Sequence, residues 1–288
     1  MLEDFVAGVP VAICTANAQV LRILGSNAGP MTGPGTNTYL VGRDRVAVID
    51  PGPADPEHIA RLVDIIDGRP VEAVFVTHTH GDHSPGTALL LEHFDAQVVG
   101  LPVPQGSGQD PSFKPSRRYV DSERIVNSEF AVKLLHTPGH VSNHLCFLLE
   151  SEAMLFTGDH ILEGTTPVIL PPDGNMRDYL QSLERLKSET LRSLAPAHGR
   201  VMTKPYREID KLIRHRMGRE SKLRRALEAA VDSGPLPIET LTERVYDDVA
   251  PHLLPWAQKT LYAHLLKLEA EAEAEQSAGG WIIKNSSI

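Results

Sequence analysis

Short apolar runs alternate with amphipathic stretches along the first two thirds of the chain. The apolar runs predict strands over residues 11–14, 38–41, 46–50 and 71–77, with a further strand starting at Val98. Residues 58–66 and 87–94 predict helices, because apolar side chains recur there at helical spacing. Strands that alternate with helices indicate an α/β fold.

Residues 101–118 interrupt this pattern. They contain four Pro and two Gly, so we expect a long loop, which inside a compact domain is usually functional or mobile. Lys114, Arg117 and Arg118 make the loop locally basic. Such a cluster fits either an anion-binding surface or an ordinary solvated surface.

The pattern changes again after Pro205. Helices are predicted over residues 207–231, 238–246 and 256–271, followed by a terminal strand over residues 281–284. We therefore divide the chain into a domain of residues 1–205 and a smaller, mainly helical domain of residues 206–288. The smaller domain carries 12 Lys and Arg against 13 Asp and Glu, a balance that argues against a reader of duplex DNA.

Candidate metal ligands are concentrated directly after the predicted strand 71–77. The motif His78-Thr-His80-Gly-Asp82-His83 places three imidazoles and a carboxylate within six residues. Such groups gain nothing from a buried position without a partner, whereas imidazole nitrogen and carboxylate oxygen suit zinc and similar ions. A His-rich surface loop is the alternative.

Three further ligands follow in the chain. His140, Asp159 and His198 each come after a strand-like segment and are bordered by Gly or Pro, so each is expected at a strand end. Seven ligands are too many for one tetrahedral zinc ion. They suit two metal ions that share a carboxylate.

The order of these motifs resembles the metallo-β-lactamase superfamily. The segments Asn27–Met31, Gly35–Val41, Asp50-Pro-Gly52 and Thr137–His140 are similar to its β-lactamase-like protein 2 group. The resemblance implies an αββα sandwich with its ligands at one edge, followed by a small winged-helix domain. It covers nearly the whole chain and is weakest in the last stretch.

The resemblance also implies roles for the ligands. His78, His80 and His140 would hold the first metal, Asp82, His83 and His198 the second, and Asp159 would bridge both. Two divalent ions are therefore expected, with zinc as the first choice and iron or manganese as alternatives. A metal-bridging hydroxide would attack the substrate.

Three more residues are candidates for catalysis or support. Asp82 is a candidate proton acceptor, and His160 or His144 could protonate a leaving group. Both histidines could equally orient a metal ligand. Asp50 resembles a family position that supports the ligand loop.

The bond that is broken is not determined by the fold or the metal site. We expect an enzyme, a binuclear hydrolase of a thioester or another small acyl substrate. The alternatives are a single-stranded RNA endonuclease and a catalytically inactive, metal-binding regulatory protein. A flavin-dependent oxidoreductase is disfavoured because no flavin domain follows.

The predicted helix after Pro205 is rich in basic residues. If the substrate is RNA, the residues expected to hold phosphates are Arg214, Arg216, Arg219, Lys222 and Arg224. The alternative is a solvated helix face. Tyr206, Trp256 and Tyr262 are expected to pack the small domain against the large one. The small domain is also a candidate surface for a homodimer.

Composition indicates a cytoplasmic protein. No apolar run approaches 18 residues, so no membrane span is expected. The acidic start Met1-Leu-Glu-Asp4 lacks the basic residues of a signal peptide. Cys14 and Cys146 stand apart in the chain and are expected as small buried apolar residues in a reducing compartment.

Overall fold

Two β-sheets face each other in the larger, N-terminal part of the protein. The computed structural model describes residues 5–14 and 16–284, so the acidic start at residues 1–4 lies outside the described residues. The strands of the first sheet are β1 (Val11–Cys14), β2 (Val20–Leu24), β3 (Asn37–Val41), β4 (Val46–Ile49), β5 (Val71–Phe75) and β6 (Gln97–Val99), in that spatial order. Neighbours are antiparallel from β1 to β4 and parallel from β4 to β6.

The second sheet has five strands. In chain order they are β7 (Arg124–Val126), β8 (Ala131–His136), β9 (Leu145–Leu149), β10 (Met154–Gly158) and β11 (Ser193–Pro196), and their spatial order is β11-β10-β9-β8-β7. Only β10 and β11 run parallel; the other neighbours are antiparallel.

Aromatic side chains fill the space between the two sheets. The Tyr39 and Phe156 rings lie 5.0 Å apart, and the Phe75 and Phe147 rings lie 5.1 Å apart. All four side chains are buried in one apolar cluster with residues of both sheets. Tilted and edge-on contacts of this kind add to the stabilisation from burial alone.

Helices cover the outer faces of both sheets. They are α1 (Pro56–Ile66) and α2 (Gly86–Leu90), which follow strands of the first sheet, and α3 (Met176–Leu186), which precedes β11. Ile59, Leu62 and Ile66 of α1 pack on the first sheet, while Tyr179 and Leu183 of α3 pack on the second. The four layers form the αββα sandwich, as predicted.

The remaining elements form the smaller unit. They are α4 (Pro205–Glu228), α5 (Ile238–Val245), a 3-10 turn (Pro251–Leu253), α6 (Leu254–Ala270) and the antiparallel hairpin of β12 (Ala274–Ser277) and β13 (Gly280–Ile283). Three helices followed by a hairpin confirm the predicted winged-helix domain.

Helix α4 belongs to two apolar cores. Ile209 and Leu212 pack with α3 and the second sheet, whereas Leu223 and Leu227 pack with α5, α6 and the hairpin. A single residue therefore does not separate the two cores, and the boundary at residues 205 and 206 stays a prediction.

Several elements differ from the sequence expectations. Strand β2 was not among the predicted strands. Arg22 interrupts its apolar run in the sequence, but in the structure Arg22 is buried and lies over the Phe5 ring. Helix α3 was also missed, although Asn175 caps it through hydrogen bonds to the N–H groups of residues 177 and 178. Helix α2 ends at Leu90, shorter than the expected 87–94, and turns follow it.

Neither cysteine lies at the surface. Cys146 is fully buried, and burial raises the pKa of its thiol to about 12. Cys14 is half-buried against the core between the sheets. Over the residues that the structure describes, no helix is both long and apolar enough to cross a membrane.

A buried charge network joins α4 to α6. Glu220 is fully buried and accepts hydrogen bonds from Lys267 Nζ at 2.8 Å and from His264 Nδ1 at 3.1 Å. Burial alone would raise the pKa of Glu220, but the contacts with His264 and Lys267 outweigh it and lower that pKa to about 2. The charged carboxylate therefore stabilises the fold. Its removal would leave the buried His264 Nδ1 without this acceptor and Lys267 with Glu271 as its remaining ion-pair partner.

We expect Glu220→Ala to lower the free energy of unfolding of the metal-free protein at pH 7 by about 1–3 kcal/mol, because buried donors lose an acceptor. Stability in the wild type should also fall as the pH drops from about 4.5, the ordinary glutamate pKa, towards about 2, and this component should vanish in the variant. Urea unfolding followed by tryptophan fluorescence measures both, because both tryptophans, Trp256 and Trp281, lie in the winged-helix part. Glu228→Ala, at an exposed site on the same helix, is the control; equal stability of the two variants would contradict the role of Glu220.

Candidate metal centre

The motif of residues 78–83 begins where β5 ends, at one edge of the first sheet. Asp50, directly after β4, supports it. The Asp50 carboxylate accepts hydrogen bonds from the Thr77 backbone N–H and the Thr77 hydroxyl, both at 2.7 Å, and from His83 Nδ1 at 3.0 Å. The predicted support of the ligand loop by Asp50 is confirmed.

A first group of ligand atoms comes from His78, His80, His140 and Asp159, and these atoms lie within 4.8 Å of one another. His80 Nδ1 lies 2.8 Å from His78 Nε2 and 3.1 Å from His140 Nε2. These residues lie just after the ends of strands β5, β8 and β10, which belong to both sheets. One metal ion can take all four ligands at this spacing.

A second group consists of Asp82, His83 and His198, again with ligand atoms within 4.8 Å. Asp82 Oδ2 lies 3.4 Å from His83 Nε2 and 3.3 Å from His198 Nε2. His198 arrives from the loop after β11. All seven residues singled out as ligands in the sequence therefore meet at one edge of the sandwich.

Asp159 faces both groups. Its Oδ1 lies 3.6 Å from His83 Nε2 and 3.3 Å from His198 Nε2, while its Oδ2 lies 3.7 Å from His140 Nε2. No other carboxylate of these two groups has one oxygen towards each. This geometry is what a shared carboxylate requires.

Hydrogen bonds from outside orient three of the imidazoles. The Nδ1 atoms of His83, His140 and His198 bond to the Asp50 carboxylate, the Val168 carbonyl (2.7 Å) and the Gly35 carbonyl (3.1 Å), respectively. Since carboxylates and carbonyls only accept, each Nδ1 carries hydrogen. Each Nε2 can then present its lone pair to the cluster as a metal ligand.

The two groups differ in their proton affinity. Burial lowers the pKa of His78 and His80, that of His80 to about 4, and neighbouring imidazoles lower both further. Burial also opposes protonation of His83 and His198, but the carboxylates of Asp82 and Asp159 outweigh it and raise the pKa of both histidines. A cation in the second group can replace those protons, since metal binding releases protons from its ligands.

The carboxylates respond in the opposite direction. Burial would raise the pKa of Asp82 and Asp159, but the adjacent His83 and His198 hold it well below its usual range. Both groups therefore stay ionised, which is the form that binds metal.

Buried atoms at the centre lack partners from the protein. His83 Nε2, His198 Nε2 and Asp159 Oδ1 are inaccessible to solvent and make no hydrogen bond. Unsatisfied polar atoms of this kind are costly, and divalent ions with nitrogen and oxygen ligands would satisfy all three. The residues present fit a divalent metal centre.

Gly158 allows β10 to approach β5 closely. Its φ is +48°, and a Cβ there would lie 2.6 Å from Thr77 Oγ1 and 2.7 Å from His144 Nε2. Only glycine meets both conditions at low cost. The close approach brings Asp159, the next residue, beside the ligands carried by β5.

Two stretches of the sequence match known families. Residues 31–199 match the family described as "Metallo-beta-lactamase superfamily", and residues 238–281 match "Beta-lactamase associated winged helix domain". The chain belongs to the metallo-β-lactamase superfamily. The predicted family, fold class and assignment as a hydrolase of this superfamily are therefore confirmed.

Individual relatives cover most of the chain. It is 32% identical over 255 residues to a "Beta-lactamase-like protein 2 homolog" of Caenorhabditis elegans. This alignment covers 86% of this chain and 82% of the relative. It is 31% identical over 289 residues to an "Atrochrysone carboxyl ACP thioesterase" of Aspergillus chevalieri, over 94% and 88% of the two chains. The crystal structure of a beta-lactamase domain protein from Burkholderia ambifaria superposes with a TM-score of 0.78 at 19% identity, over 96% of this chain and 94% of that one, which shows the shared fold.

Two cavities reach the side chains of the candidate metal ligands. The first, the α4 cavity, has a volume of about 420 Å³ and is lined by His80, Asp82, His140 and Asp159 together with Arg216 and Trp256. The second, the loop groove, has a volume of about 550 Å³ and is lined by His80 and His140 together with Gln109, Asp173, Lys259 and Tyr262. Helices α4 and α6 supply walls of these cavities, so the winged-helix domain shapes the approach to the ligands.

The long loop 101–118 is fastened to the ligand loop. Thr79 Oγ1 donates to Gln109 Oε1 at 2.5 Å, Gln109 Nε2 donates to Asp173 Oδ2 at 2.7 Å, and Asp110 N–H donates to the Thr79 carbonyl at 2.8 Å. These bonds favour the functional alternative for the loop, as a wall of the groove. Its basic cluster is partly used internally, because Arg117 pairs with Glu123.

His144 and His160 lie behind the ligands, and neither lines the α4 cavity or the loop groove. Both are fully buried. His144 Nδ1 lies 2.9 Å from the Thr137 hydroxyl, and its ring centroid is 5.2 Å from that of His78. Burial lowers the pKa of both histidines, that of His160 to about 3, which favours their neutral forms. A catalytic role for either histidine stays a prediction.

The basic residues of α4 do not form a continuous phosphate-binding face. Arg216 and Arg219 are buried, Lys222 pairs with Asp247, and Arg224 pairs with Glu220 and Glu273. Arg214 is the one exposed member of the five candidates. Helical spacing between Leu212 and Leu223 puts positions 216 and 219 on the apolar face. This spacing in the sequence predicts their burial, although arginine is usually exposed.

The aromatic residues of the winged-helix domain were also partly misassigned. Trp256 and Tyr262 were expected in the domain contact, but they are 38% and 37% exposed and line the cavities. Trp281 and Tyr246 are the buried aromatics of that core. Tyr206 does bind the larger domain, since its hydroxyl donates to the Glu189 carbonyl at 2.8 Å.

We expect Asp50→Asn to weaken divalent metal binding by roughly 10- to 100-fold. The amide NH2 cannot accept the His83 Nδ1 hydrogen, so His83 would carry its proton on Nε2 and lose its ligand lone pair. Competition with a chromophoric chelator measures the affinity. Asp55→Asn, which keeps a favourable helix cap on α1, is the control; unchanged affinity in Asp50→Asn would rule out this role.

Two ligand groups predict about two equivalents of divalent metal per chain. His198→Ala removes a ligand of the second group alone and should retain about one equivalent after dialysis. Elemental analysis after zinc reconstitution measures the stoichiometry, with His93→Ala, at an exposed site far from any ligand motif, as the control. A wild-type protein that retains one equivalent or none would contradict the two-ion assignment.

Proposed function

We propose that this protein hydrolyses a thioester or another small acyl substrate at a two-metal centre. The observation that carries the proposal is the α4 cavity, which reaches ligands of both groups within about 420 Å³. That volume suits a small molecule. Apolar residues such as Leu162, Val249 and Leu253 contribute to its lining, as an acyl chain requires.

The seven ligands would divide between two ions. His78, His80 and His140 would bind one, Asp82, His83 and His198 the other, and Asp159 would bind both. Zinc is the first choice for this set of nitrogen and oxygen donors, with iron or manganese as alternatives. Two bound ions would supply a water of lowered pKa and polarise the acyl oxygen.

Asp82 is our candidate for the proton acceptor. It lines the α4 cavity beside His80, His140 and Asp159, where a substrate and its attacking water would lie. In the net reaction, water adds to the acyl carbon and the carbon–sulfur bond breaks. The products are a carboxylate, a thiol and one proton.

The residues that line the cavity favour a leaving group that can depart without being protonated by a general acid. Burial lowers the pKa of His215, the one lining histidine outside the metal groups, to about 4. An ordinary thiol has a pKa of about 8.5 and can depart as a thiolate. An alkoxide from RNA is far more basic and would benefit from a proton donor.

His144 and His160 are then positioning residues. His144 packs behind His78, and His160 packs edge-on against Tyr179 at 4.9 Å between ring centroids. Both would keep the ligand-bearing strands in register while remaining neutral.

The thioesterase name of the Aspergillus relative supports an acyl substrate. The burial of Arg216 and Arg219 and the ion pairs of Lys222 and Arg224 remove the main support for RNA. A cytoplasmic location and a homodimer stay predictions.

Parallel assays test the proposal. We expect the zinc-loaded protein to hydrolyse acyl thioesters of N-acetylcysteamine, and Asp159→Ala to lower kcat by at least about 100-fold, since even outer partners of metal ligands contribute 10- to 100-fold. Thiol release measures turnover. Asp64→Ala, exposed on α1, is the matched control and should retain full turnover.

A single-stranded RNA oligonucleotide, assayed at 50 and 200 mM salt, provides the opposing arm. Cleavage of RNA with steeply salt-dependent binding, and no thioester turnover, would replace our proposal with the endonuclease alternative. Absence of turnover on both substrates in the fully metal-loaded protein would favour the inactive regulatory protein.

A further inference from the structure

An arginine forms part of the wall of the α4 cavity. Arg216 is 2% exposed, and it is among the largest fully buried side chains of the described residues. The same cavity is lined by the metal ligands Asp82 and Asp159. A substrate held at the metal centre can therefore extend towards a buried positive charge.

Arg216 lacks a carboxylate partner. Its Nη2 donates to the Pro167 carbonyl, and its guanidinium lies 5.4 Å from the centre of the Tyr179 ring. Among the described residues, no Asp or Glu oxygen lies within 4.0 Å of its guanidinium nitrogens, in contrast to Arg219 and Arg224 on the same helix. Its Nε is buried and makes no hydrogen bond.

Two neighbours in the lining share this unsatisfied state. The Tyr246 hydroxyl and His215 Nδ1 are buried without hydrogen-bond partners. Arg219 also lines the cavity, but its charge is matched by Asp248 at 2.6 Å, and its Nη1 donates to the Val245 carbonyl. Arg216 is therefore the unmatched positive charge of this wall.

An unpaired buried cation is costly, and an anion with hydrogen-bond acceptors would offset that cost. We propose that Arg216, with the Tyr246 hydroxyl, binds a carboxylate carried by the acyl part of the substrate. The inference rests on the proposed hydrolase function and narrows its substrate class to thioesters of dicarboxylic acids. One unmatched charge suits a carboxylate better than a doubly charged phosphate.

The reaction remains an ordinary hydrolysis. A carboxyacyl thioester and water give a dicarboxylate, a thiol and a proton, and the carboxylate held by Arg216 is unchanged throughout. Arg216 is thus a specificity-determining residue, and it takes no part in breaking the carbon–sulfur bond.

Pairs of substrates that differ only in charge test the inference. The substrates are N-acetylcysteamine monothioesters of dicarboxylic acids with about 4 to 12 carbons, which roughly span a cavity for small ligands. Each is compared with the neutral analogue in which a carboxamide replaces the far carboxylate. We expect kcat/KM to favour the carboxylate by roughly 10- to 100-fold at the best chain length, as for hydrogen bonds to charged groups.

Variants separate this subsite from the metal centre. Arg216→Met should bring the carboxylate-to-carboxamide ratio close to one, Arg216→Lys should retain part of it, and Tyr246→Phe should lower it without disturbing the fold. Arg214→Met, an exposed arginine on the same helix, should keep the wild-type ratio. A wild-type ratio near one at every chain length, or an unchanged ratio in Arg216→Met, would overturn the inference while leaving the hydrolase proposal intact.

A binding measurement covers the case in which no thioester is hydrolysed. Calorimetric titration of the zinc-loaded protein compares each free dicarboxylic acid with its monoamide, so that both ligands keep one carboxylate for the metals. Tighter binding of the diacid that disappears in Arg216→Met supports the anion site even if the hydrolase proposal fails. Equal affinity of diacid and monoamide at all chain lengths overturns it.

Discussion

Seven ligand side chains meet with their donor atoms facing one another, and four of the seven residues are buried. Several of these atoms make no hydrogen bond, and the desolvation of so many polar groups is costly without a cation. The rest of the fold serves this convergence. Strands from both sheets end at the same edge, Asp50 fixes the start of the ligand loop, and Gly158 lets β10 come close to β5.

The ligands could be predicted from the sequence because short spacing and neighbouring Gly and Pro mark them locally. His78 to His83 follow a recognisable strand, and Asp159 follows another. The sequence could not show which ring nitrogen faces inward, since the carbonyls of Gly35 and Val168 that decide it are distant in the chain. Tertiary contacts supply that information.

Buried charges caused the larger errors. Arg22 hid strand β2, and the basic residues of α4 suggested a surface for phosphates although Arg216 and Arg219 point to the interior. Residue type favours the surface for arginine, whereas helical position favoured the core. At these two positions the helical spacing predicts burial correctly and the residue type does not. Arg216 and Arg219 line the cavity beside the metal ligands.

The winged-helix domain therefore shapes the approach to the metal ligands, and the described residues of its three helices contribute no metal ligand. Helix α4 shares its length between two apolar cores. Unfolding of α4 would consequently expose part of the core that it shares with α3 and the second sheet, so the two parts are not independent of each other. A substitution on α4 can instead reshape the wall of the α4 cavity while all seven metal ligands stay in place.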